Sequence, residues 1–197
     1  MTHAKWRRPL ALSGLVLLLA LCGGCEDDEG LGLDASCVAF IPDSVPTPGE
    51  VVAQVGEDSS CEIVIIELIV TGVDDIWGAS FEPIYPGGTV LISQDIDLEG
   101  SFLGEDAFQE LVEISPGVAE AGITRVDNTV NTGVTPDDDN NLLARFAFLR
   151  IAASGSGPLT FEDANLSTVA GLGEPVMLED PPIVFRGGTL SIVNQIP

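Results

Sequence analysis

The sequence predicts an all-β domain of the β-sandwich class, and three observations carry that prediction. Glycine and proline are abundant, with 22 and 13 residues respectively, and they interrupt the chain at short intervals. No long stretch shows the 3.6-residue apolar period of an amphipathic helix. Between the turn-forming clusters lie short apolar runs rich in β-branched residues, a pattern typical of an antiparallel sandwich.

The run over residues 63–70 is the strongest predicted strand, because it is β-branched and apolar except for Glu67. Its even-numbered residues form one apolar face, whereas Glu67 marks the other face as partly exposed to water. Further strands are predicted at residues 79–85, 89–96, 110–114, 143–151, 159–161 and 184–193.

Three departures from regular strands are also predicted. Arg145 and Arg150 lie in one run but five residues apart, so a straight strand would place them on opposite faces. A bulge, or a position for Arg150 at the strand end, resolves this conflict. Gly187-Gly188 predicts a bulge or kink inside the last run. Residues 104–111 are predicted to form a helical turn.

The N-terminus predicts export and a lipid anchor. A basic segment, residues 1–8, precedes an apolar run over 10–21, which has the length of a secretory signal and is too short to span a membrane. Gly24-Cys25 resembles the cleavage site of a bacterial lipoprotein signal, in which a small residue precedes a lipid-bearing cysteine. Cys25 is therefore the predicted lipidation site, with Cys22 as the alternative.

The chain divides into three predicted parts. Residues 1–24 form the lipoprotein signal peptide, and residues 25–35 form an acidic, flexible tether. Residues 36–197 are long enough for one domain with a real hydrophobic core. We therefore expect an exported protein that is anchored by lipid to the bacterial cell envelope or cell surface.

Charge and composition exclude several functions. The only histidine and the only lysine lie in the signal, so the exported chain lacks imidazole-based catalysis, Schiff-base chemistry and a P-loop. From Cys25 onward, four arginines stand against 31 acidic residues, a formal net charge of −27. Such a chain repels nucleic acid and anionic membrane surfaces, so its contact with a membrane is expected through the lipid alone. We expect no enzymatic activity.

Cys37 and Cys61 form the remaining cysteine pair. An even number of cysteines in an exported protein predicts a disulfide between them. Two buried free thiols are the alternative.

A series of short motifs follows in a characteristic order along the chain: Pro48-Gly49-Glu50, residues 72–81, Tyr85-Pro86, residues 143–148, 154–157, 159–161 and 187–192. This series resembles a cohesin domain over roughly residues 36–195. The resemblance implies a jelly-roll-type sandwich of about nine strands. It also implies a scaffolding function, the docking of a protein partner that bears a calcium-containing dockerin.

Two alternative functions remain open because related sandwiches serve them. A carbohydrate-binding module would use Trp77 and Tyr85 as stacking platforms, although a Trp beside glycine at a strand start is more often packed in the core. A calcium-dependent structural or adhesion protein would use the acidic cluster Asp137, Asp138 and Asp139, whose oxygens suit Ca²⁺. That cluster lacks the EF-hand spacing and equally fits a solvated turn.

Overall fold

Every regular element in the described part of the chain is a β-strand. The computed structural model describes residues 36–126, 132–170, 174–178 and 182–194. The first six strands are β1 (Ser36–Pro42), β2 (Glu50–Val55), β3 (Ile63–Thr71), β4 (Gly78–Ile84), β5 (Val90–Asp97) and β6 (Phe108–Ser115). The last six are β7 (Val118–Thr124), β8 (Leu142–Arg150), β9 (Ser156–Ala170), β10 (Glu174–Met177), β11 (Val184–Arg186) and β12 (Gly188–Asn194).

These strands form two sheets packed as a β-sandwich, which confirms the predicted fold class. The seven-stranded sheet has the order β1-β12-β9-β4-β7-β6, and β10 pairs with β9. The five-stranded sheet has the order β11-β2-β3-β8-β5. Pairing is antiparallel except between β11 and β2, which run parallel. The described residues hold more strands than the predicted nine or so. Strands β1, β2, β7 and β10 lie outside the predicted runs, and the last predicted run contains both β11 and β12.

The predicted alternation of the strongest strand is confirmed in β3. Val64, Ile66, Leu68 and Val70 are at most 2% exposed, whereas the residues between them are half-buried. Their side chains enter the space between the sheets, where the removal of apolar surface from water stabilises the fold.

An aromatic cluster joins the two sheets in the core. Phe81 on β4 packs edge-to-face against Phe146 on β8, with ring centroids 5.6 Å apart. Phe81 also contacts Phe161 on β9 and Phe185 on β11, at 5.7 and 5.6 Å. Because these four rings come from both sheets, the cluster holds the sandwich together.

The last predicted run is divided at Gly187, where the chain leaves one sheet and enters the other. β11 pairs with β2 in the five-stranded sheet, whereas β12 pairs with β1 and β9 in the seven-stranded sheet. A Cβ atom on Gly187 would lie 1.8 Å from the carbonyl oxygen of Leu159. The predicted kink is confirmed, and glycine is needed there because two backbones approach closely.

A bulge divides the long strand β9 into two parts. The register with β4 shifts by one residue between Ser80 and Glu82, and Asp163 opposite this point has a φ of 44°. Because the bulge reverses the alternation, Leu159 and Leu166 both enter the core although they are seven positions apart, a spacing that would place them on opposite faces of a regular strand. The alternative position proposed for Arg150, at a strand end, is also confirmed, because β8 ends at this residue.

The predicted helical turn over residues 104–111 is wrong. Residues 104–107 form a tight turn in which the Ala107 N–H donates to the Gly104 carbonyl oxygen, at 3.1 Å. Phe108 then begins β6, which pairs with β7 over its length. The apolar spacing of this short segment suits either structure, and pairing with a neighbouring strand decided between them.

The predicted disulfide between Cys37 and Cys61 is confirmed. Cys37 lies in β1, at the edge of the seven-stranded sheet, and Cys61 lies two residues before β3 in the five-stranded sheet. The bond therefore ties the first strand of the domain to the opposite sheet. In the chain-entropy model a loop of this length stabilises the fold by about 3–4 kcal/mol.

The predicted signal, tether and lipidation site, residues 1–35, lie outside the described residues. The part of the chain that the structure describes contains no helix that is long and apolar enough to span a membrane.

Candidate functional site

The outer face of the seven-stranded sheet carries a row of residues that runs across five strands. Register places Phe108 (β6) beside Thr124 (β7), Thr124 beside Gly78 (β4), Gly78 beside Ser167 (β9), and Ser167 beside Met177 (β10). Paired residues on neighbouring strands point to the same face. The row therefore has a large apolar side chain at each end and small side chains in its centre.

All of these residues except Gly78 line an open groove of about 720 Å³, here called the trough. Phe108 and Met177, 57% and 47% exposed, form its walls, while Ser80, Gly122 and Ser167 contribute to its floor. Strands lie about 4.8 Å apart, so β6 and β10 are separated by about 19 Å. Once the wall side chains are allowed for, the floor accommodates an element about 10–12 Å wide, the diameter of one α-helix.

A second row across the same face is acidic. Val112 pairs with Glu120, and Glu82 pairs with Glu162. The β4–β7 register is the same on both sides of Glu82, which places Glu82 opposite Glu120. Three glutamates therefore stand side by side on β7, β4 and β9, about 4.8 Å apart, and are here called the acidic row. The bulge at Asp163 is what turns Glu162 toward this face.

The ion pairs of the described residues lie on the other sheet. Arg145 contacts Glu67 at 2.8 Å and Asp97 at 3.6 Å. Arg186 contacts Glu50 at 2.8 Å. The hydrogen bond with Glu67 raises the pKa of Arg145, whereas hydrogen bonds from Thr47 and Arg186 lower the pKa of Glu50.

The two other arginines in the described part of the chain are also engaged away from the acidic row. Arg150 donates to the hydroxyl oxygen of Ser36 at 2.6 Å. The guanidinium of Arg125 lies 5.4 Å from the ring centroid of Trp77, in a cation–π contact. The glutamates of the acidic row thus share their face with none of the ion pairs found in the described residues.

Trp77, one of the two proposed sugar platforms, is half-buried at the start of β4. Its ring packs with Arg125, and its backbone N–H donates to the Ser167 carbonyl oxygen at 2.6 Å. These contacts place Trp77 in the connection between strands, with one partner already over its ring.

Tyr85, the other proposed platform, is 4% exposed and belongs to the core. Its ring packs edge-to-face on Phe148 at 5.3 Å, and its hydroxyl donates to Glu113 on β6 at 2.8 Å. Burial, followed by the hydrogen bond to Glu113, raises the pKa of Tyr85 to about 12. A ring buried in this way offers no free face on which a sugar could stack.

Asp137, Asp138 and Asp139, the predicted calcium ligands, lie in an exposed turn before β8. The Asp137 carboxylate accepts hydrogen bonds from the backbone N–H groups of Asp139 and Asn140, at 3.0 and 2.8 Å. No three acidic, histidine or cysteine side chains within the described ranges are grouped closely enough to hold a metal ion. Calcium at this turn stays a prediction.

No protein-family model and no curated protein matches the chain. Its fold is similar to the second type II cohesin module of the adaptor ScaA scaffoldin of Acetivibrio cellulolyticus, with a TM-score of 0.50 at 13% identity, covering 83% of this chain and 92% of that one.

Two further solved structures are cohesins with lower scores. The non-cellulosomal cohesin of the archaeon Archaeoglobus fulgidus has a TM-score of 0.45 at 14% identity, covering 77% of this chain and 88% of that one. A cohesin module from a family 33 glycoside hydrolase of Clostridium perfringens has 0.44 at 15%, covering 82% and 96%. The chain carries a cohesin-like β-sandwich.

Sequence reasoning missed the trough and the acidic row. The alternation of Phe108, Glu110 and Val112 was a usable signal, because an exposed strand with two large apolar residues on one face is unusual. The glutamates gave no signal of their own, since they are three among 31 acidic residues and come together only through strand register.

Proposed function

We propose that the chain is a non-catalytic scaffolding module that docks a protein partner in the trough. The cohesin-like fold supports a partner that carries a dockerin-like module. The single observation that carries the choice of surface is the groove itself, with a floor of small residues between the exposed side chains of Phe108 and Met177. Exposed apolar surface of this kind, rimmed by polar residues, is typical of protein-binding sites.

Composition supports a function without catalysis. The exported chain has neither histidine nor lysine, so the side chains most often used for proton transfer and covalent catalysis are missing. Binding through shape and apolar contact requires none of them.

The anchor fits the same function. We propose that Cys25 carries lipid and that the ten residues 26–35 connect it to β1. A chain of this length reaches at most about 34 Å when extended. β1, the first described strand, occupies the edge of its sheet opposite to β6 and the Phe108 wall.

Glycine 122 offers a direct test of the docking face. It lies in the trough floor, its φ is not in the left-handed region, and a Cβ atom there meets nothing within 4 Å. Gly122→Gln should therefore fold normally and fill the trough. Gly88→Gln is the matched control, because Gly88 is exposed in a turn and has equal space.

The measurement is affinity capture from the source organism's secreted proteins, followed by calorimetry with the purified captured protein. We expect one partner to bind the wild type and Gly88→Gln with similar affinity, and Gly122→Gln at least about tenfold more weakly. Equal binding by all three chains would exclude the trough as the docking face. Retention of the wild type on insoluble cellulose or chitin would favour a carbohydrate-binding module instead.

The anchor is tested separately by labelling cells with a radioactive fatty acid. Cys25→Ser should abolish incorporation, whereas Cys22→Ser should leave it unchanged. The reverse pattern would move the lipidation site to Cys22.

A further inference from the structure

The trough has different chemistry at its two ends. The first row, from Phe108 to Met177, is apolar at its margins and small in its centre. The acidic row lies four residues further along each of β6, β7 and β4 (108 to 112, 124 to 120 and 78 to 82). Four residues of a strand span about 13 Å, so an occupant that lies along the trough meets both rows.

The acidic row is unfavourable for the isolated protein. Like charges directly opposite one another on neighbouring strands destabilise a sheet. Here Glu82 has a glutamate on each side, Glu120 on β7 and Glu162 on β9. In the described residues, the ion pairs formed by Arg145 and Arg186 belong to the other sheet. A partner that brings positive charge would relieve this repulsion.

The bulge in β9 gives the row its third carboxylate. Without the extra residue at Asp163, regular alternation from Ser167 and Asn165 would turn residue 162 into the core. With it, Glu162 joins Glu82 on the outer face, and Asp163 itself lines the trough. This arrangement requires Asp163 to adopt a left-handed backbone conformation, which is energetically unfavourable for a residue other than glycine.

We propose that the docked segment of the partner is amphipathic and carries lysine or arginine at one end, and that these cations lie over Glu82, Glu120 and Glu162. This inference rests on the proposed docking function. It specifies the chemistry of the partner and its direction in the trough: the apolar residues lie between Phe108 and Met177, and the basic end lies over the acidic row. Charge complementarity of this kind sets orientation and association rate.

The test uses two synthetic helical peptides of about 18 residues with the same leucine stripe. One carries three lysines at one end, and the other carries three glutamines there. A fluorescent label reports binding by anisotropy, first at low salt and then at rising salt concentration. Wild type should bind the lysine peptide about tenfold more tightly than the glutamine peptide, and the difference should shrink as salt screens the charges.

The formal net charge of −27 from Cys25 onward attracts any basic peptide, so the decisive comparison is between two variants of equal charge. Glu82→Gln/Glu120→Gln/Glu162→Gln neutralises the acidic row. Glu57→Gln/Asp58→Asn/Asp138→Asn neutralises three exposed carboxylates elsewhere. The first variant should lose most of the lysine preference, and the second should keep it. Equal loss in both variants, or no lysine preference in the wild type, overturns the inference.

Failure of the inference is distinguishable from failure of the docking face. If the glutamine peptide binds the wild type and Gly122→Gln prevents this, the trough binds an apolar segment whatever its charge. Carbodiimide cross-linking shows where the peptide lysines bind, because it joins a lysine amine to a carboxylate that it contacts. Mass spectrometry should find the peptide lysines joined to the acidic row, and joining to Glu57 or Asp58 instead would contradict the proposed direction.

Discussion

The two outer faces of the sandwich are built from similar strands but differ in how their surface charges are arranged. On the five-stranded sheet, Glu67, Arg145 and Asp97 lie in register across β3, β8 and β5 and form ion pairs within the protein. On the seven-stranded sheet, the corresponding central strands carry three glutamates in a row. The carboxylates on the first face are paired with an arginine of the same chain, whereas the three glutamates on the second face take part in none of the described ion pairs.

The faces also differ in relief. The centre of the five-stranded outer face is filled by the long side chains of Ile65, Ile69 and Arg145. The centre of the seven-stranded outer face has Ser80, Gly122 and Ser167, which leave a trough between larger residues at the margins. The first face is stabilised by ion pairs within the chain, whereas the second has an open trough beside the acidic row, as the proposed docking function requires.

The largest expected effect comes from the aromatic cluster in the core, to which both sheets contribute. Phe81→Ala removes a ring that is 2% exposed and contacts three others. We expect the free energy of unfolding to fall by about 3–5 kcal/mol, measured by urea denaturation. A loss below about 1 kcal/mol would mean that the two sheets are held together elsewhere.

Tyr85 links the core to β6, the strand that forms one wall of the trough. Its pKa is raised from 10 to about 12, so the folded chain keeps the phenol proton that the unfolded chain releases. This contribution is complete below pH 10 and is lost as the pH rises through 12.

Tyr85→Phe removes this titration and also the hydrogen bond to Glu113, which costs about 1–2 kcal/mol near neutral pH. Urea denaturation of both chains between pH 9 and 12 checks the prediction. The wild type should lose stability relative to Tyr85→Phe across that range, and parallel curves would exclude a role for the buried phenol.

Arg145→Ala tests the ion pairs on the outer face of the five-stranded sheet. Glu67 and Asp97, on the strands either side of β8, would then lose the cation that lies between them, and we expect a loss of about 1 kcal/mol because the groups are partly exposed. High salt should reduce the difference from the wild type. If the variant is as stable as the wild type at low salt, the pairs contribute nothing and the contrast between the faces is one of shape alone.

The smallest expected effect has the opposite sign. Glu82→Gln removes the middle charge of the acidic row, and we expect stability to rise by a few tenths of a kcal/mol at low salt. Glu67→Gln is the matched change on the other face and should lower stability. Destabilisation by both substitutions would show that the acidic row is compensated within the monomer.

The sequence alone was sufficient for much of the fold. The alternation in residues 63–70 placed β3 with its correct inward face, because apolar periodicity is a local property of the chain. The two remaining cysteines predicted their bond from their number and the expected export, and Gly187-Gly188 predicted a kink because the backbone freedom of glycine is a local property. Residues 104–111 were misassigned because their short apolar spacing fits either a helix or a strand.

The candidate site was decided by tertiary structure. Its first row joins residues 78, 108, 124, 167 and 177, which lie far apart in the chain and meet only through strand register. The bulge at Asp163 reverses the alternation of β9, so the run over 159–161 predicted only a fragment of that strand. The sequence by itself determined the sandwich, because burial patterns and turn residues act locally. Only the paired sheet decided which glutamates stand together and where a trough opens, because those are properties of neighbours in space.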